Sequence, residues 1–259
     1  KREDLIGKGI SGNKFRKLKY NLLEAKRLGY KKLLTFGGAY SNHIHAASFI
    51  KKYYDIDVVG VIRGEELALK ETLNPTLSMA KSNGMIFDFV SREAYRNKEN
   101  ASFLEGLKNK HGDFYLLPEG GTNDLAIKGC EEILNEEDKK YDVVCCAVGT
   151  GGTISGIINA SAPDQKVIGF SALKGGFLEN EVKKHVEKSN WEILEDYNFG
   201  GYAKVTEELI AFINSFKQTT GIPLDPIYTG KMVFGIIDLI KKERFPKNTS
   251  ILAIHTGGL

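Results

Sequence analysis

Apolar positions along the chain fall into short, nearly continuous runs separated by stretches with a helical period. Residues 32–36, 56–63, 85–90, 113–117, 142–148, 166–170 and 250–254 are rich in Val, Ile, Leu and Phe. Such runs are expected of parallel strands covered on both faces. The segments between them carry helix start and stop signals. Asn13 is placed to cap a helix on which Leu18, Leu22 and Ala25 share one face, and Gly29 stops it. Asn74-Pro75 opens another helix that closes at Gly84, and Thr206 opens a third over residues 207–219, ended by Gly221-Ile222-Pro223. This alternation predicts an α/β architecture with parallel sheets. No repeat, low-complexity segment or flexible linker interrupts it, so any division into domains must be compact.

Ligands of open parallel sheets gather beyond the carboxyl ends of the strands. Three loops at such positions are rich in Gly and small polar residues. Gly37-Gly38-Ala39-Tyr40-Ser41-Asn42 follows Phe36, Gly149-Thr150-Gly151-Gly152-Thr153 follows Val148, and His255-Thr256-Gly257-Gly258 follows Ile254. A site assembled from distant parts of the chain is the expectation.

Composition narrows the class. Of the 259 residues 42% are apolar and 27% charged, the balance of a soluble globular protein, and the formal net charge is only +3. Lys and Arg are interleaved with Asp and Glu, which leaves no basic patch for nucleic acid. The cysteines Cys130, Cys145 and Cys146 are odd in number, and two are adjacent in an apolar run. They read as buried reduced thiols, neither a disulfide framework nor a metal site. No apolar stretch approaches the roughly 18 residues of a membrane span, and no signal peptide is visible, although the chain opens at Lys1 without a Met. A cytoplasmic protein is expected.

The Gly149–Thr153 segment exposes backbone N–H groups at a helix start, where the dipole favours a phosphate. Thr150, Thr153 and Ser155 add hydroxyls. It is not a Walker loop, and Ile154 occupies the last Gly position of the dinucleotide pattern. A tight βα turn without a ligand is the alternative. In Ser11-Gly12-Asn13-Lys14-Phe15-Arg16-Lys17-Leu18, the cations Lys14, Arg16 and Lys17 crowd a helix start. Like charges and the helix dipole both lower a lysine pKa, and a neutral amine is what Schiff-base chemistry needs. By itself, though, the segment reads more simply as a solvated basic helix start.

Taken in order, the motifs carry a resemblance. Ser11 to Tyr20 resembles the G-N-K-x-R-K-L segment around the pyridoxal-phosphate (PLP) lysine of the 1-aminocyclopropane-1-carboxylate (ACC) deaminase and D-cysteine desulfhydrase family. Lys1-Arg2-Glu3-Asp4-Leu5 is similar to its K-R-(D/E)-D-L, and Gly37-Gly38-Ala39-Tyr40-Ser41-Asn42-His43 to its G-G-x-x-S-N-x loop. Gly149–Thr153 resembles its phosphate loop, Asp225-Pro226-Ile227-Tyr228-Thr229-Gly230-Lys231 its D-P-x-Y-(T/E)-G-K, and His255-Thr256-Gly257-Gly258-Leu259 its closing strand and turn. The chain ends directly after the last match, so further C-terminal structure is expected.

The resemblance implies a tryptophan-synthase-β-like α/β fold, PLP fold type II, with two three-layer domains on mostly parallel sheets. Residues 1–17 plus 119–259 would form the larger, PLP-binding domain, and residues 18–118 the smaller one, which contributes the Ser41-Asn42 loop. Lys14 would hold PLP as a Schiff base and shuttle protons at the substrate carbon. Lys17 would assist the phosphate, cradled by Gly149, Thr150, Gly151, Gly152 and Thr153. Asn42 would bond the ring hydroxyl, and Thr229 and Thr256 would lie at the ring. Ser41 would grip the substrate carboxylate or take part in proton transfer, with Asn42 and His43 beside it. Tyr228 is the firmer catalytic tyrosine; Tyr202, in a segment that matches G-x-G-Y loosely, is a second. A homodimer acting on a small amino acid is implied as well.

In the resemblance, ACC deaminases place a Glu directly after the tyrosine, where this chain has Thr229. A hydroxyl is a far weaker proton source than a carboxylic acid, which favours β-elimination of D-cysteine or a related amino acid over cyclopropane opening. ACC deamination is the enzymatic alternative, and a non-catalytic protein that binds PLP or another phosphate ligand is the alternative of another class. His45 reads as a packed or surface residue, Trp191 as core or interface, His255 as lining the site or structural, and residues 135–140 as a solvated loop.

Overall fold

The computed structural model describes residues 1–258; Leu259, the last residue of the closing motif, lies outside them. The chain divides into two compact units. One comprises Lys1–Gly7, Ser11–Lys17 and the chain from Ala126 onward; the other comprises Lys8–Ile10 and Leu18–Leu125. Residues 119–125 thus fall in the second unit. Helix α1 (Gly12–Arg27) gives its first residues to the first unit and the rest to the second.

The second unit carries strands β1 (Lys32–Gly38), β2 (Asp57–Arg63), β3 (Ile86–Val90) and β4 (Tyr115–Leu117), all parallel, in the order β3-β2-β1-β4. Helices α2 (Asn42–Ser48), α3 (Ile50–Tyr54), α4 (Pro75–Ser82), α5 (Arg92–Arg96) and α6 (Ala101–His111) connect them. Leu34, Phe36, Val59 and Val61 pack with Tyr95, Leu107 and Phe114 on one face. Asn74 caps α4 as its sequence predicts, accepting from Leu77 N at 3.0 Å. The same side chain donates to Ala39 O at 3.0 Å, so the cap also holds the loop that follows β1.

The first unit takes the end of α7 (Asp124–Glu131), then β5 (Val143–Val148), α8 (Gly152–Ala160), β6 (Lys166–Ser171), α9 (Leu178–Lys183), β7 (Trp191–Leu194), α10 (Glu207–Thr220), α11 (Thr229–Lys241) and β8 (Ile251–Ile254). Its strands are parallel in the order β7-β6-β5-β8. Side chains alternate across a strand, and β5 uses both faces. Val144, Cys146 and Val148 face Ile154, Ile157 and Ile158 of α8 and Val182 of α9, while Val143, Cys145 and Ala147 face Met232, Ile236 and Leu239 of α11. This is why 142–148 is apolar without alternation, and why the adjacent cysteines lie on opposite sides. Burial pushes the thiols of Cys130, Cys145 and Cys146 up, which keeps them protonated.

Two local expectations are corrected and a third is refined. Strand β7 was not anticipated: it is four residues long, half-buried throughout and at the sheet edge. Helix α1 begins at Gly12, with Asn13 inside it and not at its cap. Residues 135–140 are solvated as expected except at Asp138, which a capped 3-10 turn buries and pairs with Lys1. Among the described residues no helix is long and apolar enough to cross a membrane.

Candidate active site

Lys14 stands in the first turn of α1, and two contacts fix that turn. Asn13 N donates to Thr256 O at 3.0 Å, and Asn13 Nδ2 donates to Thr153 Oγ1 at 3.0 Å. One residue therefore ties the lysine's turn to the loops after β8 and β5. The approach is close enough to require glycine beside it: Gly12 has φ +60°, and a Cβ there would lie 2.1 Å from Thr256 O.

The crowding of cations at this helix start resolves into distinct partnerships. Arg16 pairs with buried Glu3 at 2.9 Å and with Glu132 at 3.4 Å, which neutralises it and gives the K-R-E-D-L motif a structural purpose. Lys17 is 2% exposed and reaches Thr150 Oγ1 at 3.3 Å. Lys14 has no hydrogen bond or ion pair among the described residues. The residue keeps some exposed surface, yet its amine lies deep among protein atoms. Burial first, and then the charge on Lys17, lower its pKa from 10.5 to about 7. An unpaired amine that is half neutral at pH 7 is a competent nucleophile and base.

Beside Lys17 lies the loop between β5 and α8. Gly151 is the N-cap of α8 with φ 85°, a left-handed conformation, and no side chain caps the helix. The first bond closing the helix is Ser155 N to Gly151 O, so the N–H groups of Gly152 and Thr153 have no partner among the described residues. Uncapped donors at a helix start, a buried lysine at Thr150 and a neutral amine on Lys14 form the donor set that a phosphorylated aldehyde requires. The residues fit PLP.

Tyr228 lies against this loop: a methyl group on Gly149 would sit 3.1 Å from its ring and 3.3 Å from its hydroxyl. Tyr202 meets the Tyr228 ring edge-on with centroids 6.3 Å apart. Both tyrosines named from the sequence are thus brought together. Asp225, which carried no role in the sequence, organises the start of α11 by accepting from Ile227 N, Tyr228 N, Thr229 N and Thr229 Oγ1. Thr229 differs from expectation. It is fully buried; its hydroxyl donates to Asp225 Oδ2 at 2.6 Å and accepts from Asp225 N at 2.9 Å, so its one proton is committed. Thr256, by contrast, has a hydroxyl with no partner among the described residues.

His255 is structural. Nε2 bonds Pro223 O at 2.8 Å, and its backbone pairs with Lys1 and Asp4, stitching the start of the chain to the end of β8.

In the second unit Ser41 is the N-cap of α2 and accepts from Ile44 N at 3.3 Å. The Asn42 side chain has no hydrogen-bond partner among the described residues. His43, expected beside the substrate, is instead 2% exposed, with Nε2 at 2.7 Å from Thr35 Oγ1. Thr35 gives its own proton to Leu117 O, so the imidazole is the donor in that pair and links α2 to β4.

Similarity to known proteins agrees with this geometry. The family model described as "Pyridoxal-phosphate dependent enzyme" matches residues 1–257. The chain belongs to that family, and its cofactor is PLP. A putative ACC deaminase of Pyrococcus horikoshii is 31% identical over 280 aligned residues, covering all of this chain and 83% of the relative. A bifunctional D-cysteine desulfhydrase/ACC deaminase of Arabidopsis thaliana, named as mitochondrial, is 33% identical over all of this chain and 71% of its own. The crystal structure of an ACC deaminase homologue superposes with a TM-score of 0.86 at 32% identity, over all of this chain and 83% of that one. The type II architecture implied by the motifs, two parallel α/β sheets with helices on both sides, is the architecture of this family member.

Proposed function

We propose that this family member catalyses β-elimination on a small amino acid, with D-cysteine as the first candidate, releasing a keto acid, ammonia and sulfide. The observation that carries the reading is the start of α11. The position after Tyr228, a Glu in ACC deaminases by the motif resemblance, is a threonine whose proton is committed to Asp225. No carboxylic acid stands there to hold a proton on the ring nitrogen, and ring opening needs the stronger electron sink.

When bound, PLP supplies an electron sink for negative charge developing at the substrate α-carbon. The chain's residues supply the rest. The uncapped amides of Gly152 and Thr153, with Lys17, would hold the phosphate. The Thr256 hydroxyl, without a partner among the described residues, would serve the ring nitrogen, a part the motif resemblance gives to Thr229 as well. Lys14 Nζ removes the α-proton, a step for which a base titrating near pH 7 is suited. Ser41 is assigned the substrate carboxylate and Asn42 the ring hydroxyl through the motif resemblance. Tyr228 lies over the phosphate loop, where it acts on the reacting end of the substrate, with Tyr202 beside it. A homodimer in the cytoplasm completes the proposal, supported by the motif resemblance and by three buried free cysteines.

The test is a product screen of PLP-loaded protein. Sulfide and ammonia from D-cysteine, much faster than 2-oxobutyrate from ACC, is the expected outcome. Comparable rates on both substrates would return the assignment to ACC deamination, and full cofactor occupancy without turnover of any D- or L-amino acid would leave a binding protein.

A further inference from the structure

Lys231 is a lysine in an adverse place. It lies in the first turn of α11, where the helix dipole opposes a cation, and it is 1% exposed. Burial pushes its pKa down, with Asp225 offsetting part of the effect. Its ammonium makes no carboxylate pair among the described residues. Instead Nζ donates to the carbonyl of Asn198 at 2.7 Å and to that of Gly201 at 2.9 Å.

The loop at the far end of this side chain is stressed. Phe199 (φ 53°) and Ala203 (φ 57°) both adopt the left-handed conformation without being glycine, and Gly200 and Gly201 lie between them at φ 92° and 115°. Backbone of this kind persists only where its surroundings over-determine it. Asn198 does part of this, donating to Glu195 O at 2.6 Å and accepting from Gly200 N at 2.8 Å. Lys231 supplies the bonds that reach the loop from outside. The loop delivers Tyr202, which is 40% exposed and has the edge contact with Tyr228 to orient it. Lys231 follows Tyr228 by three residues, so one short segment presents a tyrosine and braces the loop that brings the second one to it.

We propose that Lys231 is a positioning residue that sets Tyr202 against Tyr228 and acts on turnover through Tyr202, without touching substrate or cofactor. The proposal rests on the reading of the two tyrosines as groups of the reacting site. Methionine has similar length and no donors, so Lys231→Met leaves the loop's two carbonyls without their brace while keeping the volume filled.

Three PLP-loaded variants are compared with wild type on D-cysteine: Lys231→Met, Tyr202→Ala and the double variant. In Lys231→Met, kcat falls about 10- to 100-fold, the scale of a misplaced site group. The double variant falls no further than the lower single variant, within about threefold, because both changes remove one function. A second readout needs no turnover: amide hydrogen exchange over residues 199–204 accelerates at least about tenfold in Lys231→Met, while α10 is unchanged. Should Lys231→Met fail to fold, Gly201→Ala disturbs the same carbonyl from the other side, at a φ that alanine rarely adopts, and the same exchange pattern is expected. Wild-type kcat and wild-type exchange in Lys231→Met, with Tyr202→Ala impaired, would overturn the proposal. So would additive losses in the double variant. If Tyr202→Ala turns over normally, the reading of Tyr202 fails, and the exchange measurement still decides whether Lys231 holds the loop.

Discussion

Two glycine-rich loops leave two central strands of this protein, and they end differently. The loop after β5 opens into α8 with no side-chain cap, a left-handed Gly151 and, among the described residues, no partner for the amides of Gly152 and Thr153. The loop after β1 opens into α2 with Ser41 already serving as cap. The sequences look alike, since each puts small residues between a buried strand and a helix. The first loop leaves the amides of Gly152 and Thr153 open to an external anion, whereas the second satisfies a donor internally and leaves the Asn42 side chain without a partner among the described residues. The open amides of the β5 loop support its proposed part as the phosphate anchor, and the Asn42 side chain supports the proposed part of the β1 loop in orienting a ligand.

Removing Lys14, which the open loop serves, has the largest expected effect. Lys14→Ala loses the visible absorption of lysine-bound cofactor and all turnover, checked by spectrum and sulfide release; residual turnover with an altered spectrum would contradict the role. Next, Gly151→Ala places a β-carbon at a left-handed position and 3.2 Å from Val182 Cγ2. The conformation alone costs about 1–2 kcal/mol, and PLP affinity should fall at least about tenfold by titration. Unchanged affinity would mean that the open amides do not hold the phosphate. Ser41→Ala should cost about 1 kcal/mol of stability through the lost cap and raise KM. The smallest effect sharpens the contrast: Asn42→Ala should leave stability within about 0.5 kcal/mol while weakening cofactor binding.

What was legible from the sequence was local. Asn74 and Thr206 cap the helices predicted for them because capping is settled within three residues. The parallel strands were legible because β5 is buried on both faces and so cannot alternate. Asn13 has the residue type of a cap but serves another purpose, because its partners, Thr153 and Thr256, are far away in the chain. Thr229 carries its residue type in the sequence but not the commitment of its proton, which depends on how the turn brings Asp225 to it. His43 stands in a motif that suggests substrate, yet the fold turns it toward Thr35. β7 escaped because four half-buried residues at an edge carry little periodic signal.

The Lys14 environment predicts a pH dependence whose sign is fixed. In the folded protein its amine titrates near 7, and in the unfolded chain at the ordinary 10.5. Between those values the unfolded state binds more protons, so this group makes stability rise with pH across that window. Below it both states are protonated, and the folded state carries the full cost of the buried charge. Capture of PLP by the apoprotein should accelerate through pH 7, and Lys17→Met, which removes the neighbouring charge, should shift the midpoint upward.

The central claim is that one amine, on Lys14, is the group that bonds the cofactor. Borohydride reduction of the PLP-loaded protein, followed by peptide mapping, tests it directly. A single pyridoxyl label on the peptide containing Lys14, located at that residue, is the predicted result. A label on Lys17 or Lys231 in its place, or no label on a protein that has bound PLP, would contradict the account.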